Sequence, residues 1–241
     1  MDLANMTADL VTWLQEEVKK AGSKGVVLGL SGGIDSAVVA ALCRRAWPEH
    51  CLGLIMPCHS DPADTADAWM VARHLELPVV EISLDDIYDR LVLLLTGEPY
   101  AGQRSLALAN LKPRLRMLTL YFHANERHYL VVGTGNKSEL AVGYFTKYGD
   151  GGVDLLPLGN LVKSQVRELA RYLELPAKTI TRAPSAGLWA GQTDEGEMGL
   201  AYEVLDRYIL TGEAPPATRE RIEAMAACSA HKRRMPLAPP F

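Results

Sequence analysis

A short apolar segment followed at once by a glycine turn is the feature that most constrains the fold of this chain. Residues 26–30 read Val-Val-Leu-Gly-Leu, and residues 31–36 read Ser-Gly-Gly-Ile-Asp-Ser. An apolar run of this length before a turn is typical of a strand buried on both faces of a parallel sheet. The turn then lies at the carboxyl end of a strand, where ligands bind in such sheets.

Apolar segments and helical patterns alternate along the rest of the first half. Further strands are predicted at 52–56, 78–82 and 129–132, and helices at 10–18, 35–47, 62–75, 84–95 and 111–124. The second half is predicted to be mostly helical, at 136–141, 163–173, 198–210 and 217–230. This alternation predicts βαβ units and an α/β fold, a parallel sheet flanked by helices. At 241 residues, we expect one domain over 1–241 that includes the late helical part and tail at 198–241.

Composition excludes several classes of protein. Lys plus Arg is 25 and Asp plus Glu is 29, so the formal net charge is −4. A general nucleic-acid binder usually has a basic excess, so no nucleic-acid partner is expected. The sequence contains neither an apolar run of about 18 residues nor a secretory leader pattern, so no membrane association is expected. Cysteines 43, 51, 58 and 228 match no zinc or redox spacing, which favours reduced thiols and a cytoplasmic location.

The glycine turn has the chemistry of an anion site. Gly32 and Gly33 lack Cβ atoms, so their backbone N–H groups can fold around a phosphate, and Ser31 and Ser36 add hydroxyls. A helix N-terminus contributes only about 0.3–1 kcal/mol, so a polyphosphate also needs cations. Asp35 would repel a phosphate unless it binds Mg²⁺ or N–H groups. The alternative is a tight strand–helix turn in which Asp35 caps the helix.

Several strings carry a resemblance to a known family. Residues 31–36 resemble the pyrophosphate loop of N-type ATP pyrophosphatases, which have an adenine nucleotide alpha hydrolase-like, Rossmann-like fold. Residues 133–154 read GTGNKSELAVGYFTKYGDGGVD and, with Leu-Leu-Pro-Leu at 155–158, resemble NAD synthetases of the ammonia-dependent type. Residues 110–117, 184–189 with 191–195, and 231–233 resemble further motifs of that family in the same order. The resemblance covers nearly the whole chain.

The resemblance implies a set of site residues. ATP, the co-substrate, is expected at Gly29, Leu30, Ser31, Gly32, Gly33, Ile34, Asp35, Ser36, Thr134, Lys163 and Ser185. Mg²⁺ is expected at Asp35 and Glu139, and deamido-NAD at Arg114, Lys147, Asp154, His231 and Lys232. The residue pattern agrees in part. Glu139 follows Thr134, at the carboxyl end of the fourth strand, by about one helical turn, so its carboxylate can point back toward the first loop.

For some of these residues a purely structural explanation is simpler. Taken alone, Lys147 is compatible with a solvated loop lysine, Asp154 with a turn or cap residue, and His231 with a surface histidine. The chain also departs from the family pattern, because GTGNKSE stands where many members have GTDHAAE, and this variant resembles the synthetase domains of some glutamine-using enzymes. Pro113 is expected in the first turn of a helix capped by Asn110, where proline is tolerated.

The activity implied by the resemblance has two steps. The nicotinate carboxylate of deamido-NAD attacks the α-phosphorus of ATP and releases pyrophosphate, and ammonia then displaces AMP to give NAD⁺. Asp150 or Asp154 is a candidate to accept the ammonium proton. Because the chain leaves no room for an amidase domain, ammonia is the expected donor, with a separate glutaminase partner as the alternative. Family members are homodimers. The rival readings are a tRNA-modifying pyrophosphatase, a nucleotide sensor and a universal-stress-type ATP-binding module.

Overall fold

Four parallel strands form the sheet in the computed structural model, which describes residues 2–185, 187, 189 and 191–240. They are β1 (Gly25–Gly29), β2 (Cys51–Ile55), β3 (Val79–Glu81) and β4 (Tyr129–Val132). The spatial order is β3-β2-β1-β4, so β1 and β4 are neighbours, and Val27 of β1 pairs with both Leu52 and Val131. The predicted α/β fold is confirmed. Ala186 and Leu188, part of the motif at 184–189, lie outside the described residues.

Helices surround this sheet and fill most of the second half of the chain. The first five are α1 (Leu3–Lys20), α2 (Ile34–Ala46), α3 (Pro62–His74), α4 (Asp85–Thr96) and α5 (Leu106–Arg127). The others are α6 (Lys137–Val142), α7 (Lys163–Tyr172), α8 (Ala177–Thr181), α9 (Asp194–Met198), α10 (Tyr202–Thr211) and α11 (Pro216–Cys228), followed by a 3-10 turn (Ala230–Arg233). The short helices α8 and α9 were not predicted. Within the described part of the chain, no helix is long and apolar enough to cross a membrane.

The two faces of the sheet are covered by different helices. On one face α1, α2 and α7 pack together through residues such as Leu14, Leu42 and Leu169, each fully buried. On the other face α4 and α5 pack on the strands through residues such as Tyr88 and Leu120. Burial of both faces explains why β1 and β2 are continuously apolar. It also fixes α2 and its N-terminal turn against the centre of the sheet.

The late helices form a third apolar cluster beside α6. Buried side chains of α6, α9, α10 and α11 meet there, among them Val142, Met198, Tyr202 and Ile222. Because α6 follows β4, this cluster lies next to the carboxyl edge of the sheet. The packing therefore brings residues from the last fifth of the chain to the edge where the glycine turn lies.

Three predicted helix starts were wrong. The helix predicted at 10–18 begins at Leu3, since the Asp2 side chain accepts the Ala4 and Asn5 N–H groups and caps it. The helix predicted at 111–124 begins at Leu106, since the Ser105 hydroxyl accepts the Leu108 N–H at 3.2 Å and caps it. Pro113 therefore lies inside α5, not in its first turn, and the Asn110 side chain instead accepts a hydrogen bond from Thr146 at 2.8 Å. The helix predicted at 198–210 begins at Tyr202, because the left-handed Gly199 ends the separate helix α9.

Candidate functional site

The glycine turn between β1 and α2 is held open by hydrogen bonds among its own residues. The Ser36 hydroxyl donates to the Gly33 carbonyl at 2.9 Å and accepts the Ser31 N–H at 3.2 Å. Gly33 is the N-cap of α2 and makes no side-chain cap bond, so the alternative in which Asp35 caps the helix is wrong. Gly33 thus offers the first N–H groups of α2 no side-chain acceptor, while its own N–H donates to the Ser31 hydroxyl at 3.3 Å. A helix N-terminus without a side-chain cap is a favourable place for an anion.

Gly32 is the residue of this turn that tolerates no side chain. Its φ is +79°, and a Cβ built there would lie 2.7 Å from the Ala68 amide nitrogen and 2.8 Å from Asp67 Cβ. The turn therefore rests directly on the backbone of α3. Only glycine satisfies both the left-handed conformation and this close approach.

A buried lysine joins three elements beside the turn. Lys163, at the first position of α7, is 1% exposed, and its Nζ lies 2.5 Å from Asp35 Oδ2 and 3.4 Å from Glu139 Oε1. The structure thus brings together the three predicted residues from α2, α6 and α7. Burial alone would lower the pKa of Lys163, but the charges of Asp35 and Glu139 raise it on balance. The ammonium therefore stays charged.

The two carboxylates are close enough to affect each other's ionisation. Burial raises the pKa of Glu139 to about 7, and the nearby charge of Asp35 adds to the effect, while Lys163 opposes it. A nearby positive charge favours the ionised form of both carboxylates. The geometry therefore favours a second positive charge near Asp35 and Glu139.

Asn136 is a member of this cluster that the sequence analysis missed. Its side chain is fully buried and donates to Asp35 Oδ1 at 2.9 Å, while its oxygen accepts the Glu139 N–H at 3.1 Å. In return Glu139 Oε2 accepts the Asn136 N–H at 3.1 Å, which completes a capping box at the start of α6. The Asn-x-x-Glu spacing was a readable signal for this arrangement.

Two further acidic and aromatic residues approach Glu139 from the late helices. The Tyr202 hydroxyl lies 3.2 Å from Glu139 Oε1 and 3.1 Å from Asp194 Oδ2. Tyr144 places its hydroxyl 3.2 Å from the other oxygen of Asp194. Burial raises the pKa of Asp194, so this carboxyl depends on the two hydroxyls for its hydrogen bonds. No local pattern in the sequence indicates these contacts.

The donor set fits a divalent cation that arrives with phosphates. Among the described residues, no group of three or more His, Cys, Asp and Glu side chains is arranged to hold a metal. Asp35 and Glu139 nevertheless lie close together, because one oxygen of each contacts the ammonium of Lys163. Magnesium in proteins is usually held by one or two carboxylates and completes its shell with water and phosphate oxygens. Two carboxylates beside a phosphate-binding turn match that pattern.

A second predicted group meets around the loop after α6. Lys147 Nζ donates to the His231 carbonyl at 2.8 Å, and Arg114 Nη2 donates to the Lys147 carbonyl at 3.4 Å. Lys232 Nζ donates to the carbonyls of residues 143 and 145, each at 2.8 Å. Arg114, Lys147, His231 and Lys232, which we call the basic group, thus come from three parts of the chain. Hydrogen bonds donated by Lys147 and Lys232 hold the C-terminal segment against this loop.

The two predicted aspartates of this region differ in their surroundings. Asp150 lies within the same loop and accepts the Thr146 N–H at 2.9 Å. Asp154 lies apart from the contacts of the basic group, because its oxygens accept the Tyr121 hydroxyl at 2.9 Å and the Val131 N–H at 2.7 Å. These bonds close the outer edge of β4, as the cap reading of Asp154 anticipates.

Two cavities contain further residues of interest. One of about 500 Å³ is lined by Ser185, Asp64 and Arg182, and Asp64 belongs to the same turn of α3 that supports Gly32. The other, of about 440 Å³, is lined by residues that include Lys112 and Tyr100. His59 and Trp189 line both cavities. Ser185 thus shares a cavity with Asp64, and Thr134 lies just after β4, at the carboxyl end next to β1.

Comparisons with known proteins agree with this geometry. Residues 6–236 match the family model described as NAD synthase. An NH3-dependent NAD⁺ synthetase from Carboxydothermus hydrogenoformans is 55% identical over 97% of this chain and 96% of its own length. An NMN synthetase from Francisella tularensis has a TM-score of 0.94 at 38% identity, with 100% of both chains covered. An NH3-dependent NAD synthetase from Campylobacter jejuni has a TM-score of 0.81 at 35% identity, with 99% of both covered.

Alanine at Gly32 should disrupt the anion site beyond the effect of backbone strain. Gly97 has the same φ of +79° with nothing within 4 Å, so Gly97→Ala isolates the strain of a left-handed alanine, about 1–2 kcal/mol. Gly32→Ala adds a clash with α3 and should lose more stability in urea unfolding, as well as ATP binding measured by calorimetry. Equal stability losses in the two variants, with ATP affinity retained in both, would contradict this account of the turn.

Proposed function

The chain belongs to the NAD synthase family, and we propose that its site catalyses the ATP-dependent amidation of deamido-NAD with ammonia to give NAD⁺. The observation that carries this proposal is the meeting of Lys163, Asp35 and Glu139 beside the glycine turn. That arrangement combines a phosphate cradle, a permanent cation and a carboxylate pair at the carboxyl edge of a parallel sheet. It suits a reaction that moves charge onto the phosphates of ATP.

In the first step the nicotinate carboxylate attacks the α-phosphorus of ATP, and pyrophosphate leaves. The backbone N–H groups of Gly32 and Gly33 and the N-terminus of α2 are proposed to hold the leaving phosphates. The Lys163 ammonium is held on the same side by Asp35 and would offset the charge that grows on them. Thr134 and Ser185 are proposed to contact the same nucleotide.

Magnesium is proposed to bind with ATP at Asp35 and Glu139. When bound, it neutralises part of the phosphate charge and aligns the reacting groups. The chain supplies two carboxylate oxygens there, and Asn136 supports both by donating to one side chain and capping the helix of the other. Burial and, after it, the charge of Asp35 raise the pKa of Glu139 to about 7, and a bound cation would oppose both effects.

The basic group, together with Asp154, is proposed to hold deamido-NAD. The dinucleotide carries two phosphates, and the net charge of the whole chain is −4, so a local concentration of positive charge is required. Contacts among Arg114, Lys147 and the 231–232 segment support one binding surface.

In the second step ammonia displaces AMP from the acyl-adenylate. Asp150, anchored in the same loop by the Thr146 N–H, is the proposed proton acceptor.

A homodimer in the cytoplasm is proposed as the working form. Leu118 and Phe122 are 64% and 62% exposed one turn apart on α5, and an apolar strip of this kind is typical of a covered helix face. The four cysteines are free thiols, which suits a reducing compartment. Ammonia is the proposed nitrogen donor, and a separate glutaminase that docks on the enzyme is the alternative source.

A second candidate substrate is the mononucleotide that lacks the adenylyl half, nicotinate mononucleotide. The observation that favours it is the TM-score of 0.94 to the NMN synthetase from Francisella tularensis, over the full length of both chains. The chemistry at the carboxylate would be the same, because both substrates present a nicotinate to the α-phosphorus of ATP. The two candidates differ only in what the basic group must bind.

The nitrogen donor can be tested directly. Purified protein with ATP, Mg²⁺ and deamido-NAD should form NAD⁺ and AMP when ammonium is added and should form neither product at a comparable rate with glutamine. Both products are followed by chromatography. NAD⁺ formation from glutamine alone would favour an associated glutaminase. Consumption of ATP without NAD⁺ would reject the amidation step, and no ATP consumption under any condition would reject the proposed reaction.

Loss of the Asp35 charge should weaken the binding of Mg²⁺. Asp35→Asn leaves Lys163 paired with Glu139 but removes one of the two anionic ligands. The half-saturating Mg²⁺ concentration in steady-state assays at fixed ATP should rise about tenfold or more. Asp9→Asn, on the exposed side of α1, is the matched control and should leave the Mg²⁺ dependence unchanged. An unchanged Mg²⁺ dependence in Asp35→Asn would reject the metal site.

The two substrates can be ranked by their kcat/KM values in the same assay. Deamido-NAD should have the higher value, by about tenfold or more, because its second phosphate adds a charged contact with the basic group. NAD⁺ and NMN formation are measured separately with ammonium in excess. A higher kcat/KM for nicotinate mononucleotide would make the second candidate the main reaction.

A further inference from the structure

One tyrosine connects the carboxylate pair to the late helices. Tyr202, the first residue of α10, is 1% exposed, and its hydroxyl lies between Glu139 Oε1 at 3.2 Å and Asp194 Oδ2 at 3.1 Å. The face of its ring lies 4.9 Å from Lys163 Nζ, within the range of a cation–π contact. One side chain therefore contacts both a proposed metal ligand and the lysine proposed to face the phosphates.

Tyr202 is fixed in this position from both ends. Its backbone N–H donates to Glu195 Oε1 at 2.9 Å, and its hydroxyl meets the neighbouring Asp194. Its ring packs in the apolar cluster with Met198 and Leu205. The acidic start of α9 and the core beneath it thus hold the phenol rigidly against α6.

The phenol has a single proton and two carboxylate neighbours. It can donate to only one of them at a time. Asp194 has a second hydroxyl neighbour in Tyr144, at 3.2 Å from its other oxygen, although the Tyr144 hydroxyl lies closer to Glu197 Oε2, at 2.8 Å. Among the described residues, Glu139 Oε1 is otherwise approached by Lys163, at the longer distance of 3.4 Å, whereas Glu139 Oε2 is held by the Asn136 N–H at 3.1 Å. A hydrogen bond from Tyr202 therefore fixes the oxygen of Glu139 that faces the centre of the site.

We propose that Tyr202 is a positioning residue that holds Glu139 Oε1 in the orientation needed for the metal–nucleotide complex. The inference rests on the proposed roles of Mg²⁺ and Glu139. Tyr202 itself touches neither substrate nor reacting atoms, and it acts through the carboxylate that it orients. The position of Tyr202 depends on the start of α9, because Asp194 contacts its hydroxyl and Glu195 accepts its backbone N–H.

Calorimetry with α,β-methylene-ATP tests the proposal without turnover. The affinity of wild-type protein for this analogue is measured with and without Mg²⁺, and the ratio is the metal-dependent gain. Tyr202→Phe should reduce that gain about five- to tenfold, as expected for a lost hydrogen bond to a charged group, and change the metal-free affinity little. Tyr208→Phe is the matched control, because Tyr208 lies on the same helix and donates to Glu223 at 2.9 Å away from the site. It should leave the gain unchanged.

The outcomes separate this inference from the proposed function. If the wild type shows the metal-dependent gain in affinity and Tyr202→Phe shows the same gain, the proposed role of Tyr202 is rejected and the proposed metal site stands. An equal loss with and without Mg²⁺ assigns Tyr202 a purely structural role and also overturns it. A wild type without any metal-dependent gain overturns the proposed metal site, and the role of Tyr202 with it.

A second variant keeps the test independent of how well Tyr202→Phe folds. Asp194→Asn replaces the competing carboxylate with a weaker acceptor and leaves the Tyr202 proton to Glu139. The metal-dependent gain should then be retained. A loss as large as that expected for Tyr202→Phe would show that disturbance of α9 is responsible, and it would contradict the proposal.

Discussion

The site depends on the burial of one ammonium group between two carboxylates. Lys163 is almost entirely shielded from water, so its charge is tolerable only because Asp35 and Glu139 lie within 2.5 and 3.4 Å of it. Removing either partner would leave a buried charge poorly compensated. Three separate elements must therefore arrive together: α2 after β1, α6 after β4, and α7 from the second half of the chain. The sheet order, in which β1 and β4 are adjacent, makes this meeting possible.

The central part of the site could be predicted from the sequence because it follows from strand ends. A glycine turn after an apolar strand predicts an anion site, and Glu139 lies one turn after a neighbouring strand end. The fold class follows from the same alternation of segments. The Asn136 contact with Asp35 joins residues 101 positions apart, yet its capping box with Glu139 is local and has a readable Asn-x-x-Glu pattern.

The other contacts of the site depend on tertiary packing, which no local sequence pattern indicates. Tyr202 reaches Glu139 across 63 positions because an apolar cluster holds α10 against α6. The predicted start of α5 was wrong because both Ser105 and Asn110 are good capping residues. Ser105 caps the helix, and the Asn110 side chain is instead engaged by Thr146, a tertiary contact. Asp154 left two readings open, and its bond to the Val131 N–H depends on how the chain returns past β4.

The interior proline of α5 divides that helix mechanically. Pro113 has no N–H, so the carbonyl of Ala109 lacks the donor that continues a helix, and α5 is easiest to bend at this point. Ala109 lines the 440 Å³ cavity, whereas the part beyond Pro113 carries Arg114 and packs on β1 and β4. The cavity-lining part of α5 and the part that packs on the sheet are thus joined at a point where one helix hydrogen bond is missing. Deformation of one end is absorbed there, and the sheet below remains undisturbed.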